Sequence, residues 1–300
     1  MSNSTYIQKI SLSVRLLLVL PSVILLCAFL YFTTTIIRVY WNMHHVRQTP
    51  RYILFFHMLI YDTLFLLLGF LLLMATEFSL TMLISICYVL VMIGELTYMI
   101  TPFILAAMSM ERYISVCFPL RHAELCTTKR SNATVAVLWV VALTLKAIDF
   151  PFLAKYAKSD FFVQYVMCQR KLLSVNPLQE LLAFIRAMFS LALVGLIIIY
   201  TYISILVVAL KIGSGKSSGL KASKTVLLHA FQLLLYITSF LSPLAKEPLS
   251  KMMSGAEFLE FLLFICFPRF LGPLLYGLRD ETLRKCIQRT LGIGRFNKKF

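Results

Sequence analysis

Glu111, Arg112 and Tyr113 close an otherwise apolar run and are followed shortly by Pro119, Leu120 and Arg121. An adjacent carboxylate and guanidinium at a helix end can hold each other or offer charge to a partner. Charge beside hydrocarbon is costly, so such a pair points to function at a membrane face. The plainer reading is a solvated helix end. Further charges lie deeper in apolar runs: Asp62 in the middle of one, Glu95 high in a second, Arg186 towards the outer end of a third and Arg269 in a fourth. An unpaired charge at a helix centre costs about 2.5–3.5 kcal/mol on insertion scales, so each needs a partner, an ion or a ligand. Glu95 and Arg186 are candidates for ligand contact, or for a structural pair with each other. Arg269 is a candidate partner for Asp62 or Glu95.

No pattern points to catalysis. His44 and His45 are adjacent, which is poor metal geometry, and His57, His122 and His229 are scattered singly. The seven cysteines show no CxxC spacing, and neither HExxH nor a Ser-His-Asp arrangement occurs. Gly213 and Gly215-Lys216-Ser217 superficially match a phosphate loop but lack its first Gly and a preceding strand, so a flexible basic linker is expected. No enzyme activity, metal or cofactor is expected.

The elements that must position these residues follow from composition. Of 300 residues, 60% are hydrophobic and 14% charged, and the mean hydropathy is +0.84. A soluble domain is about half apolar and a quarter charged. Seven apolar stretches stand out, at about 14–37, 52–76, 83–118, 133–153, 181–210, 224–243 and 257–277. They are long and continuous, without the period-two alternation of a barrel, so they predict helices. The expected fold is an all-α membrane protein, one seven-helix domain over residues 1–300. The first stretch lacks a cleavage-site pattern and is expected to remain as an anchor. Internal repeats of the transporter kind are absent from the sequence.

A net charge of +16 would suggest nucleic acid in a soluble protein. Here it reads as topology determinants and contacts to anionic lipid headgroups, with no nucleic-acid partner. The loops richer in Lys and Arg, including Arg38, Arg121, Arg130 and Lys216, go inside, which puts the N-terminus outside. A glycosylation sequon at Asn3 agrees, although such triplets also arise by chance. The sequon at Asn132 falls inside and is discounted. Cys87 and Cys168 both face the oxidising side, where a disulfide between them would tie the second outer loop over the bundle. Residues of about 280–291 are basic with apolar positions at helical spacing, as in a helix lying on the inner leaflet. Cys286 within it is either palmitoylated or unmodified.

In order along the chain, Asp62, Cys87, Glu111-Arg112-Tyr113, Trp139, Cys168, Tyr202 and Pro273-Leu274-Leu275-Tyr276 resemble the landmarks of rhodopsin-like (class A) G-protein-coupled receptors over nearly the whole chain. The stretch from Met110 to His122, Lys221 to Thr225 with His229, and Tyr276 to Asp280 resemble odorant-receptor signatures, closest to the fish group called odorant receptor 131-2-like. The resemblance implies a plasma-membrane receptor. It would bind a small odorant in its outer half and couple to a heterotrimeric G protein, of the olfactory stimulatory type, at its inner end. It implies that Glu111 holds Arg112 at rest, and that Arg112 turns towards Tyr202 and Tyr276 on activation. Pro102 and Pro273 would be places to bend. Glu95, Tyr98, Met99, Arg186 and Tyr236 would face the pocket, and Asp62 with Thr101 would form a polar core. The chain departs from the family in carrying Gly272 where an Asn is usual, Thr34 near a missing Asn, and Lys221 and Lys224 where an acid would make an ionic lock. A non-olfactory receptor for an amine or a lipid is the alternative, though Glu95 is adjacent to the place where amine receptors keep their acid. Outside receptors, the alternative is a transporter.

Overall fold

The computed structural model describes residues 12–156, 161–211 and 256–279, with positions 231, 234, 235, 237, 238, 284, 285 and 287. The first long helix, α1, runs Leu12–Asn42, and a single turn, α2, follows at His44–Arg47. Pro50 opens α3 (Pro50–Glu77) at a position where a missing amide costs nothing. A short strand β1 (Thr81–Leu83) leads into α4 (Ile84–Cys117). Pro119 likewise opens α5 (Pro119–Leu125), and Thr127 caps α6 (Thr128–Ala147) by accepting from the Arg130 amide at 3.3 Å. Next come α7 (Phe150–Tyr156), β2 (Tyr165–Met167) and α8 (Pro177–Lys211). The last span comprises α9 (Ala256–Glu260), a π-helical segment (Phe261–Cys266) and α10 (Phe267–Arg279).

Among the described residues, five helical stretches are long and apolar enough to cross a membrane: Val19–Asn42, Pro50–Glu77, Ile84–Cys117, Thr128–Tyr156 and Pro177–Val208. They correspond to the first five expected spans, with ends that differ by one to five residues. Helices are the form that satisfies every backbone amide inside hydrocarbon. The seventh expected span falls within Ala256–Arg279. The sixth, with Tyr236, lies largely outside the described residues, as do Asn3, Cys286 and most of 280–291. Arg284 and Lys285 are exposed and Ile287 is buried against the core, in keeping with an amphipathic segment.

Helix α4 is central. It packs against α3 on one side, α6 on another and α8 on a third. Val39, Met58, Leu59, Ile104 and Leu105 are fully buried in the seam of α1, α3 and α4. Trp139 joins this seam and donates its indole N–H to the Tyr61 hydroxyl at 2.7 Å. Outward-facing Leu, Ile and Phe on the same helices, such as Leu196 and Phe189, form the face expected towards lipid. Gly69 permits a close approach: a β-carbon there would stand 3.1 Å from the Phe261 ring. The β strands, not anticipated from sequence, pair antiparallel with Met82 opposite Val166. Ser79 turns the chain into β1 with a φ of 53°.

Candidate functional site

Three charged groups lie at three depths. At its C-terminal end, α4 carries Glu111, Arg112 and Tyr113 in its last turns. Pro119 starts α5 immediately after α4 ends, and the first turn of α5 folds His122 back beneath Glu111. His122 Nε2 lies 3.0 Å from Glu111 Oε1. The expected Glu111–Arg112 pair is therefore replaced by a Glu111–His122 pair, because successive residues on a helix point away from each other whereas α5 can turn back. Glu111 Oε2 and Arg112 Nε are buried without hydrogen-bond partners among the described residues. The Tyr113 hydroxyl is 3.4 Å from that of Tyr200, and its ring meets Phe118 edge-on. Tyr202 packs beside Tyr113 in an apolar cluster with Ile198 and Ile205. Cys126, just beyond α5, has its thiol pushed up chiefly by burial, reinforced by the Glu111 carboxylate and opposed by Arg130. Pro273 is buried inside α10. Tyr276 belongs to the same helix, but its side chain lies outside the described residues.

At mid-depth, Arg269 of α10 pairs with Asp62 of α3, and each is 1% exposed. Of the two partners open to Arg269 in the sequence, Asp62 is the one it meets. The guanidinium carbon stands 3.9 and 5.4 Å from the ring centres of Phe65 and Tyr98, which lie beside each other 5.5 Å apart. Tyr98, expected in the ligand pocket, thus contributes to this pair. Thr101 is fully buried and returns its hydroxyl to the Thr97 carbonyl at 2.8 Å. Met99 packs against the α3–α4 core seam and not towards the charges above it.

Towards the opposite end of the bundle a five-membered charge cluster spans α4, α6, α8 and the loop between α7 and α8. Glu95 on α4 accepts from Lys146 on α6, and from Arg170 Nε in the loop at 2.6 Å. Lys146 also reaches Asp149 at 2.8 Å. Asp149, at the turn between α6 and α7, receives Arg186 Nη2 of α8 at 2.8 and 3.0 Å. The structural pair envisaged between Glu95 and Arg186 is therefore corrected: each has other partners, and Lys146 and Asp149 stand between them. Asp149 went unnoticed in the sequence, and Lys146 and Arg170 read there only as loop charges. The available signal was Asp149 three residues after Lys146, a spacing that puts both on one helix face.

What sets Arg170 over Glu95 is covalent. Cys87 and Cys168 form a disulfide with their Cα atoms 5.5 Å apart, and both are buried. With the β1–β2 pairing, it holds the loop against the top of α4, and Arg170 follows two residues later. Gly94 beside Glu95 is buried, yet a β-carbon there would meet nothing within 4 Å. No group of three metal-ligating side chains occurs among the described residues.

Residues 33–276 match the family model of the 7 transmembrane receptor (rhodopsin family). This chain belongs to the rhodopsin family of seven-transmembrane receptors. Odorant receptor 131-2 of Danio rerio is 32% identical to the receptor over 204 residues, covering 65% of this chain and 62% of that protein. Olfactory receptors 8I2 and 8D4 of Homo sapiens are 26% and 27% identical, each covering 63% of this chain and 62% of the relative. The match thus spans less than two thirds of the relatives' length. As a family member, the receptor is a multi-pass membrane protein whose fold is the seven-helix bundle expected from its apolar runs.

Proposed function

We propose that this receptor is chemosensory: it binds a small odorant in the outer half of its bundle and activates a heterotrimeric G protein at its inner face. The accompanying reading places it in the plasma membrane with its N-terminus outside, and the G protein is of the olfactory stimulatory type. The observation that carries this is the layout of α4. One end bears Glu95 within the charge cluster and the other bears Arg112. Seventeen residues separate them, roughly 25 Å at 1.5 Å per residue. Buried Pro102 lies between and removes one amide from the helix ladder, leaving a place to bend. The names of the zebrafish and human relatives support the same assignment.

In this scheme the ligand bears on Glu95, Arg186 and their partners, and also on Tyr236 of the sixth span. Arg112, Tyr113, Tyr202, Pro273 and Tyr276 carry the signal at the inner end. Arg112 is suited to the part because its guanidinium is always charged and its Nε has no hydrogen-bond partner among the described residues. The Glu111–His122 pair secures the turn that a G protein would meet. The test is ligand-triggered cyclic AMP in cells supplied with the olfactory stimulatory G protein. Arg112→Ala should abolish the response with surface expression kept; an undiminished response in that variant overturns the assignment.

A further inference from the structure

We infer that the outer cluster selects ligands bearing an anionic group, a carboxylate above all, and disfavours amines. This rests on the reading that the cluster is the ligand site. Three cations, Lys146, Arg170 and Arg186, face two carboxylates, Glu95 and Asp149, so the set carries one positive charge in excess. The surplus resides on Arg170, whose side chain is 66% exposed and so open to an approaching anion.

The donors and acceptors left open point the same way. Both Glu95 oxygens are taken, one by Lys146 and one by Arg170. Both Asp149 oxygens are taken by Arg186, and Lys146 shares one of them. An incoming ammonium therefore finds every carboxylate oxygen already paired with a cation and meets a net positive field. On the donor side, Arg186 Nη1 is buried without a hydrogen-bond partner among the described residues. Arg170 bonds through Nε alone and leaves 66% of its side chain exposed, with its terminal N–H groups available. A ligand carboxylate accepts from guanidinium donors in a geometry that matches their fork. It would supply what Arg186 Nη1 lacks among the described residues.

The test uses the detergent-purified full chain and cells expressing it. The probes are short- to medium-chain alkanoates, benzoate and phenylacetate, each matched with its alcohol, methyl ester and amine, and with sodium chloride as the salt control. Thermal unfolding reports binding, and cyclic AMP reports coupling. At least one acid should stabilise the wild type where its matched compounds and chloride do not. Arg170→Gln should raise the required acid concentration about tenfold, the loss of one charge-assisted hydrogen bond. Arg186→Gln should do the same; the exposed Arg170 keeps the test valid if that variant fails to fold. An amine or neutral member binding as well as its acid overturns the inference, as does stabilisation no greater than that by chloride, or silence of every acid. Acids that stabilise without raising cyclic AMP uphold the anion site and count against G-protein coupling. Neutral compounds that raise cyclic AMP while acids do nothing sink the anion preference and leave the receptor reading standing.

Discussion

The mid-depth pair offers a sharp test of the bundle's energetics. Asp62 and Arg269 are each 1% exposed. Removing one member of such a pair costs about 3–5 kcal/mol because the other charge stays buried, whereas replacing both with apolar groups is often neutral. The two single losses are not equivalent. With Arg269→Met, the Asp62 carboxyl loses this cation and can be neutralised by taking up a proton, which limits the penalty. With Asp62→Leu, the Arg269 guanidinium loses this carboxylate and cannot give its proton up. Its contact with the Phe65 ring at 3.9 Å recovers only about 0.5–2 kcal/mol. Asp62→Leu should therefore be the worse variant, Arg269→Met intermediate, and the double variant better than either single one. Thermal unfolding of the purified receptor at fixed heating rate, together with surface expression, would measure this cycle. A double variant whose loss equals the sum of the single losses would refute the reasoning, since independent sites add and coupled ones do not.

Three further outcomes follow from geometry already described. Cys87→Ser should lower surface expression and stability, since closing the 81-residue separation is worth about 4 kcal/mol in the chain-entropy account; thermal unfolding checks it. Trp139→Phe should cost about 1 kcal/mol through loss of the hydrogen bond to Tyr61, with the ring contact kept; the same assay with Tyr61→Phe should show no further loss in the double variant. His122→Ala should cost about 1–3 kcal/mol by leaving Glu111 Oε1 buried without its partner. His122→Gln, which can still donate, should recover part of that stability.

The large elements were legible because hydrocarbon imposes a simple rule: a run long and apolar enough must be a helix. The spans around Asp62, Glu95 and Arg186 could therefore be located within a few residues. Partner choice was harder. Glu95 and Arg186 both stood out as charges in apolar runs, open to ligand contact or to a pair with each other. Their actual partners depend on helix rotation, which is fixed by packing across α4, α6 and α8 and which no local pattern encodes. Lys146 lies inside the fourth apolar run and Arg170 in the middle of the long loop that follows, and neither position announces a partner. Only the disulfide and the β1–β2 pairing, a contact between distant segments, bring Arg170 to Glu95. His122 was visible as part of a familiar stretch, but its use depended on the turn made at Pro119.

The disulfide also bears on the sign of the charge cluster. Lys146, Arg186, Glu95 and Asp149 come from the helical spans and the turn that follows one of them, and together they balance to zero. Arg170 alone belongs to the loop, two residues past Cys168. The surplus positive charge is thus the one member held in place by the Cys87–Cys168 link, so opening that link would release it and leave a neutral set behind.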